Sequence, residues 1–302
     1  MPRSLQLAMP SDTVNTFEGE RDRLVGLAYR MLGDVAAAED VVQDAYLRWH
    51  DVDPATVDSP AAYLTTVITR LCLDELKSAR QQREEAYTGP WLPSPLVAER
   101  GATPPDVERD AALSMALLVL LEALTPVQRA VFVLREGFDV NYTTIARIVD
   151  RSPAHCRKIA QRAREYVGDR NRRFRASRED QEALVQEFVD AIEDCDPERL
   201  GAVLAEDAVS YSDGGGEVTA ALRPIEGRDR ITRFLLGIAQ KAPEGLTVEP
   251  ATVNGGPGLI ARVDGAVQSV WAFHVADGRI QDLYAVLNPA KLRHIGEEEG
   301  AP

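Results

Sequence analysis

Three groups of residues have types and spacings suited to chemistry. In residues 34–49, DVAAAEDVVQDAYLRW, the polar side chains Glu39, Asp40, Gln43 and Asp44 fall on one arc of a helical wheel. Ala38, Val42, Ala45 and Trp49 fall on the other. Such an acidic face either docks a basic surface or is simply solvated. In residues 60–83, Tyr63, Thr66, Arg70 and Lys77 share an arc, while Leu64, Val67, Ile68 and Leu71 face elsewhere. An aromatic ring aligned with cations suits nucleic acid, because bases stack on rings and cations neutralise phosphate. A solvated face with Tyr63 half buried fits the same pattern. In residues 153–167, Cys156, Ala160, Ala163 and Val167 define an apolar side, and His155, Arg157, Lys158, Gln161, Arg162 and Arg164 surround the other. Arg and Gln read base edges, and Lys mostly holds phosphate.

These side chains need helices to present them. Apolar residues recur at helical spacing over residues 16–83, and strand punctuation is missing there. Pro90, Pro93, Pro95, Pro104 and Pro105 then forbid a continuous helix over residues 84–106 and mark an extended linker. Helical patterning returns over residues 107–174. Thr125-Pro126-Val127-Gln128 is a capping box with Pro at the first helical position, starting a helix that ends near Gly137. A short helix over 142–149, the turn Asp150-Arg151 and a new cap at Ser152-Pro153 complete a helix-turn-helix. A helical hairpin with a basic face is the plainer alternative.

From Ser177 the pattern changes. Two helical segments meet at Asp196-Pro197, and another runs over 227–240. Beyond Leu246, short apolar runs are divided by Asn254-Gly255, Asp264-Gly265 and Asp277-Gly278, the turn pairs of an antiparallel meander. Helices followed by a meander predict a separate α+β domain.

Composition sets the bounds. The 302 residues are 45% hydrophobic and 27% charged, enough for two or three globular domains. The longest apolar candidate, residues 115–121, is too short to span a bilayer. Residues 1–20 show no basic segment followed by an apolar core, so no secretory signal is expected. Cys72, Cys156 and Cys195 form no C-x-x-C pair, and with four scattered histidines they argue against a zinc finger or a disulfide framework. The net charge of −14 is uneven: residues 151–178 carry 10 basic and 2 acidic side chains, and residues 179–302 carry 10 and 23. A basic stripe followed by an acidic third fits a DNA-contacting segment fused to a different domain, or a solvated basic helix beside an acidic one.

Together these pieces resemble a known family. DVAAAEDVVQDAYLRW followed by SPAAYLTTVITRLCLDELKSARQQR resembles region 2 of an extracytoplasmic-function sigma factor, and LTPVQRAVFVLREGFDVNYTTIARIVDRSPAHCRKIAQRAREYV resembles its region 4. The resemblance implies that Glu39, Asp40, Gln43 and Asp44 dock on the β′ clamp of RNA polymerase core, with the β flap as a second contact. It implies that Tyr63, Thr66, Arg70, Lys77 and Arg80 engage the −10 element. His155, Arg157, Lys158, Gln161 and Arg162 are implied to read the −35 element. Arg70 stands where many relatives carry Asn, and Asp150 replaces the usual turn Gly, a substitution the left-handed region tolerates.

Residues beyond Arg178 resemble the SnoaL-like fold, a cone of curved antiparallel strands capped by helices, which one subgroup of these sigma factors carries. Its marks are Trp91-Leu92-Pro93-Ser94-Pro95, Asp213-Gly214-Gly215-Gly216-Glu217 and Asn288-Pro289-Ala290-Lys291-Leu292. The usual forms have Glu at Ser94, Lys at Glu217 and Asp at Ala290, so each departure removes or reverses a charge. Regulatory contacts are expected at Trp91, Leu92, Pro93, Pro95, Asp213, Gly214, Gly215, Gly216, Asn288, Pro289, Lys291 and Leu292. Because SnoaL-like folds also host enzymes, Asp207, Tyr211, Asp213, His274 and Tyr284 are the candidate acid–base groups, although fold alone does not establish catalysis.

The expected architecture is two all-α sigma domains, the second with a helix-turn-helix, plus a C-terminal α+β SnoaL-like cone. Their bounds are 1–85 for region 2, 86–108 for the linker, 109–176 for region 4 and 177–302 for the cone. The expected function is promoter-specific initiation by RNA polymerase, modulated by the chain's own C-terminal domain, in the cytoplasm, with no cofactor, metal, membrane or catalytic step. The alternatives are a SnoaL-like enzyme or ligand sensor fused to a DNA-binding regulator, and a repressor that never engages polymerase.

Overall fold

The computed structural model describes residues 10–53, 56–98, 114–171 and 177–296, without the side chains of 10–12, 79–86, 169–171 and 296. The chain divides into two compact units, one of Met1–Gln81 with Leu124–Glu165, the other of Gln82–Ala123 with Tyr166–Pro302.

The first unit is helical. Its opening helices are α1 (Pro10–Leu32), α2 (Val35–His50) and α3 (Pro60–Ala86), the last of which ends in the second unit. Asp34 starts α2 by accepting from the Ala37 N–H at 3.0 Å. The apolar arc of α2, Ala38, Val42, Ala45 and Trp49, is buried as its spacing predicts. Trp49 lies wholly inside, its indole N–H donating to the Thr13 carbonyl at 2.9 Å, so burial of the ring leaves no donor unmet.

The same unit then adds α5 (Pro126–Phe132), a π-helical turn over Val133–Gly137, and α6 (Tyr142–Val149); α7 (Pro153–Asn171) begins within it. The capping box forms, with Thr125 and Gln128 each bonding the other's backbone. The π-turn departs from the continuous helix read in the sequence. Asn141 caps α6, and Asp150 ends it in the left-handed region at φ +52°, so Asp does supply the turn usually given to Gly. Arg129, 3% exposed, donates to the Met31 carbonyl at 2.8 Å, and the Arg30 guanidinium lies 5.0 Å from the Phe138 ring centroid.

The second unit holds β1 (Val97–Ala98), α4 (Met115–Glu122), α8 (Arg178–Glu193), α9 (Pro197–Val203), β2 (Leu204–Asp213), β3 (Ile225–Glu226) and α10 (Arg228–Ala239). It continues with β4 (Leu246–Val253), β5 (Gly256–Val263), β6 (Ala266–Ala276), β7 (Arg279–Val286) and α11 (Pro289–Gly296). The sheet order is β1-β4-β5-β6-β7-β2-β3. The β4–β7 meander turns on the three expected Asx-Gly pairs, each with positive φ at both residues.

Two expectations need correction. The sheet is mixed rather than antiparallel, because β2 pairs β7 in parallel, Tyr211 beside Tyr284 and Asp213 beside Val286. Only a long crossover allows such a pair, and the chain between them supplies one through α10 and the meander. The linker is more than an extended connection: Val97 and Ala98 add a strand to the β4 edge, and the Leu96 N–H donates to Asn254 Oδ1 at 3.2 Å. Of the helical stretch expected over 107–174, residues 107–113 and 172–174 lie outside the described residues.

The sheet carries a core on each face. On one, Phe188, Leu200, Leu235 and Leu283 are buried among α8, α9 and α10. On the other, Leu92, Met115, Val270, Ala272, Tyr284 and Leu292 bring the linker, α4 and α11 together. Between β4 and β6, Gly258 leaves no room for a side chain, since a Cβ there would sit 2.4 Å from the Trp271 carbonyl oxygen and 2.5 Å from Val253 Cγ2. Gly258→Ala should therefore destabilise the second unit by about 1–3 kcal/mol in chemical denaturation, and an unchanged midpoint would contradict this packing.

Candidate functional site

The acidic arc of α2 is built as its spacing requires. Glu39, Asp40, Gln43 and Asp44 are all exposed, opposite the buried stripe that ends in Trp49. Glu39 and Gln43 also border a polar cleft of about 370 Å³ with Glu18, Arg21 and Tyr46.

The α3 arc is more occupied than its sequence suggests. Tyr63 packs its ring 5.7 Å from that of Trp49, and the Thr66 hydroxyl donates back to the Ala62 carbonyl at 2.8 Å. Arg70 reaches the Arg147 carbonyl on α6 at 3.3 Å, and Lys77 pairs with Asp74 at 3.0 Å. Such exposed bonds are weak and exchange readily for phosphate contacts. The side chain of Arg80 lies outside the described residues.

The basic face of α7 is assembled around one residue that the wheel did not reveal. His155, Arg157, Lys158, Gln161 and Arg162 are exposed, and Cys156, Ala160 and Ala163 are buried behind them. Tyr142, the first residue of α6, lies between the guanidinium groups of Arg135 at 5.3 Å and Arg157 at 5.5 Å. Its hydroxyl accepts from Arg164 at 3.0 Å, and Arg164 also pairs with Glu136 at 3.1 Å. Gln161 bonds Glu165 along its own helix at 3.0 Å. The thiol of Cys156 is pushed up by burial, which keeps it a packing group rather than a nucleophile.

In the second unit, all three marked segments meet at one buried carboxylate. Asp213, with no solvent exposure, lies 2.7 Å from the Lys291 ammonium, itself 5% exposed. Asp213 Oδ2 also accepts from the Leu92 N–H at 2.8 Å, and Oδ1 from the Gly215 N–H at 3.0 Å and from the Tyr87 hydroxyl. Lys291 donates to the Leu92 carbonyl, and its ammonium lies 3.9 Å from the Trp91 ring centroid. Asn288 donates to the Tyr87 oxygen at 3.2 Å. Gly215, at φ +64°, makes room for that amide, since a Cβ would fall 2.4 Å from Asn288 Nδ2. His294 Nε2 bonds the Pro95 carbonyl at 2.8 Å.

Leu92, Pro93 and Pro95 are buried, as are Gly214 and Leu292; Gly216 and Pro289 remain exposed. The three charge departures fall outside the ion pair: Ser94 is buried, and Glu217 and Ala290 face solvent. Tyr87 and His294 were missed in the sequence. A lone aromatic four residues before Trp91 was the available signal for Tyr87; nothing marked His294.

The five candidate acid–base groups are not gathered into a catalytic site. Asp213 is the carboxylate of the clasp, and Asp207 accepts from Gln281 at 2.9 Å on the surface. His274 bonds Asp282 at 2.6 Å, and Tyr211 stacks on Tyr284 at 5.5 Å. Burial, then the charge of Asp282, pushes the Tyr284 phenol well up. Tyr211 and Tyr284 belong to the face covered by the linker. A cavity of about 350 Å³ lies on the helix side, lined chiefly by apolar residues such as Phe188, Leu235, Leu259 and Trp271, and none of the five borders it. Among the described residues no group of three or more His, Cys, Asp or Glu is placed to hold a metal, and no helix is long and apolar enough to cross a membrane.

Three segments of the chain match known protein families. Residues 16–82 match Sigma-70 region 2, residues 114–167 match Sigma-70, region 4, and residues 185–283 match a SnoaL-like domain. The chain is 37% identical to the ECF RNA polymerase sigma factor SigJ of Mycobacterium tuberculosis over 291 residues, 92% of this chain and 93% of that one. It is 30% identical to the probable ECF RNA polymerase sigma factor SigI of the same organism over 285 residues, 94% of this chain and 96% of that one. The crystal structure of Mycobacterium tuberculosis SigJ superposes with a TM-score of 0.77 at 36% identity, covering 93% of this chain and 98% of that one.

Removing the charge of Asp213 tests the clasp. Asp213→Asn leaves a buried ammonium without its counter-ion and should destabilise the second unit by about 3–5 kcal/mol. Adding Lys291→Met should recover part of that loss. Hydrogen exchange at the Leu92 amide is the local readout, and unchanged protection in Asp213→Asn would contradict the bond.

Proposed function

The chain belongs to the extracytoplasmic-function RNA polymerase sigma factors, and from that premise we propose how its residues divide the work. It directs core RNA polymerase to particular promoters, binding both the core enzyme and promoter DNA. The observation that carries the residue assignments is the presence, in one chain, of an exposed acidic arc on α2 and an exposed basic arc on the second helix of a helix-turn-helix.

In this reading Glu39, Asp40, Gln43 and Asp44 dock on the β′ clamp, with the β flap contacting region 4. Tyr63, Thr66, Arg70, Lys77 and Arg80 engage the −10 element, with the Arg70 and Lys77 surface bonds giving way to phosphate. His155, Arg157, Lys158, Gln161 and Arg162 read the −35 element, with Arg157 steadied by the Tyr142 ring. The domain bounds of 1–85, 86–108, 109–176 and 177–302 describe the sequence division. The second unit modulates output through the clasp on residues 87–98, and without a catalytic step. The protein works in the cytoplasm, where polymerase is.

The packing inside the first unit supports a closed resting state. The −10 and −35 elements are centred about 25 base pairs apart, roughly 85 Å at about 3.4 Å per pair. Yet Arg129 of the region 4 segment bonds Met31 of the region 2 segment at 2.8 Å, and Arg70 bonds Arg147. Promoter engagement therefore requires these contacts to part.

Reversing Asp40 and Asp44 to Lys puts cations against a basic clamp surface and should weaken holoenzyme assembly by about tenfold or more, while α2, whose buried stripe is untouched, stays folded. Undiminished co-purification with core enzyme would remove this docking face. Arg129→Ala should loosen the closed state. Energy transfer between fluorophores on α2 and α7 should fall, and affinity for a −10/−35 promoter duplex should rise; a folded variant with unchanged transfer would remove the closed-state reading.

A further inference from the structure

Of the three arginines gathered at Tyr142, one is held differently from the other two. Arg135 pairs with Asp139 at 2.9 Å and donates to the Val140 carbonyl at 3.3 Å. Arg164 pairs with Glu136 at 3.1 Å and donates to the Tyr142 hydroxyl at 3.0 Å. Arg157 makes no ion pair among the described residues, and its guanidinium lies 5.5 Å from the Tyr142 ring centroid.

That difference decides what each guanidinium can still do. An arginine reads guanine by presenting two parallel N–H groups to one base edge. A carboxylate partner competes for that fork, as Asp139 and Glu136 do for Arg135 and Arg164. An aromatic ring instead attracts the cation through its electron-rich face, within about 6 Å of the centroid, and requires none of the N–H donors. Arg157 is therefore restrained and keeps its fork available.

The ring is itself fixed by its surroundings. Tyr142 opens α6 directly after the Asn141 cap, whose side chain accepts from the Thr144 N–H at 2.9 Å. It is half-buried, with its hydroxyl tied by Arg164 and the Arg135 guanidinium over its ring at 5.3 Å. Arg157 stands in the N-terminal part of α7, the part of the second helix that meets base edges in a helix-turn-helix. Ring and guanidinium thus join the two helices of the motif beside the surface that faces the groove.

We propose that Tyr142 is a specificity-determining residue of promoter recognition, whose ring positions Arg157 on one guanine of the −35 element while Arg135 and Arg164 serve as scaffold. The inference rests on the reading of α7 as the −35 reader and deepens it. An unrestrained arginine on a basic face meets the nearest phosphate as readily as a base, and phosphate carries no sequence information. Holding the guanidinium before DNA arrives lowers the ordering cost of the base contact alone, so it raises discrimination more than overall affinity.

The test uses the full chain assembled with core RNA polymerase and promoter-length duplexes whose −35 element is randomised, with the bound sequences counted. Arg157→Ala should erase a preference for guanine at one position, which marks the base pair read. Tyr142→Leu should lower that same preference about threefold or more and leave the other positions as they were, whereas Tyr142→Phe, which keeps the ring, should retain it. Adding Tyr142→Leu to Arg157→Ala should change the preference no further. Should Tyr142→Leu fail to fold, fluorinated phenylalanines at position 142 decide, because they keep the ring's shape and withdraw charge from its face. The guanine preference should then fall with each added fluorine. An even loss across all positions, an unaltered preference in Tyr142→Leu, equal losses in Tyr142→Leu and Tyr142→Phe, or indifference to fluorine would each overturn the positioning role and leave α7 as the reader. Unchanged preferences in Arg157→Ala would overturn both.

Discussion

A carboxylate shut away from water at Asp213 faces an ammonium at Lys291, and neither can be buried without the other. The pair joins the end of β2 to α11, and both partners also bond Leu92 in the linker, Asp213 through its N–H and Lys291 through its carbonyl. Tyr87, Trp91, Gly215 and Asn288 then close over the same two charges. The positions of the linker, the glycine-rich turn and the final helix are therefore one problem with one solution. Trp91 could not face the ammonium, nor Gly215 approach Asn288, unless the chain around Asp213 were already in place.

That arrangement explains why one face of the sheet is spent on structure. Leu92, Met115, Ala116 and Leu292 cover Val270, Ala272, Tyr284 and Val286. Residues that resemble a catalytic set are consumed there: Asp213 by Lys291, His274 by Asp282, Tyr211 by Tyr284. The opposite face keeps a largely apolar cavity that no acid–base candidate borders. A SnoaL-like sheet used in this way serves the chain as a clamp for its own linker.

The first unit uses arginine in a comparable role at lower cost. Arg129 is buried and bonds the buried C-terminal end of α1 through the Met31 carbonyl, and Arg30 lies over Phe138. Tyr142 collects Arg135, Arg157 and Arg164, of which Arg135 and Arg164 also pair with Asp139 and Glu136 near the surface. Contacts of this kind hold a helix-turn-helix in shape, and guanidinium groups bonded in this way keep donors that match phosphate oxygens.

Local spacing and turn chemistry made much of this legible in the sequence alone. The buried stripe of α2, the capping box at Thr125, the Asp150 turn, the α6–α7 pair and the three Asx-Gly hairpins each depend on residues within a few positions of one another. The three motifs of the clasp were visible too, although as separate marks. Tertiary structure alone decided that they share one ion pair, that Tyr87 and His294 belong with them, and that β2 runs parallel to β7. Those facts join residues up to 201 positions apart, as Asn288 and Tyr87 are. Periodicity reports which way a side chain points from its own helix or strand; what it meets there depends on how distant elements pack, and no local pattern encodes that.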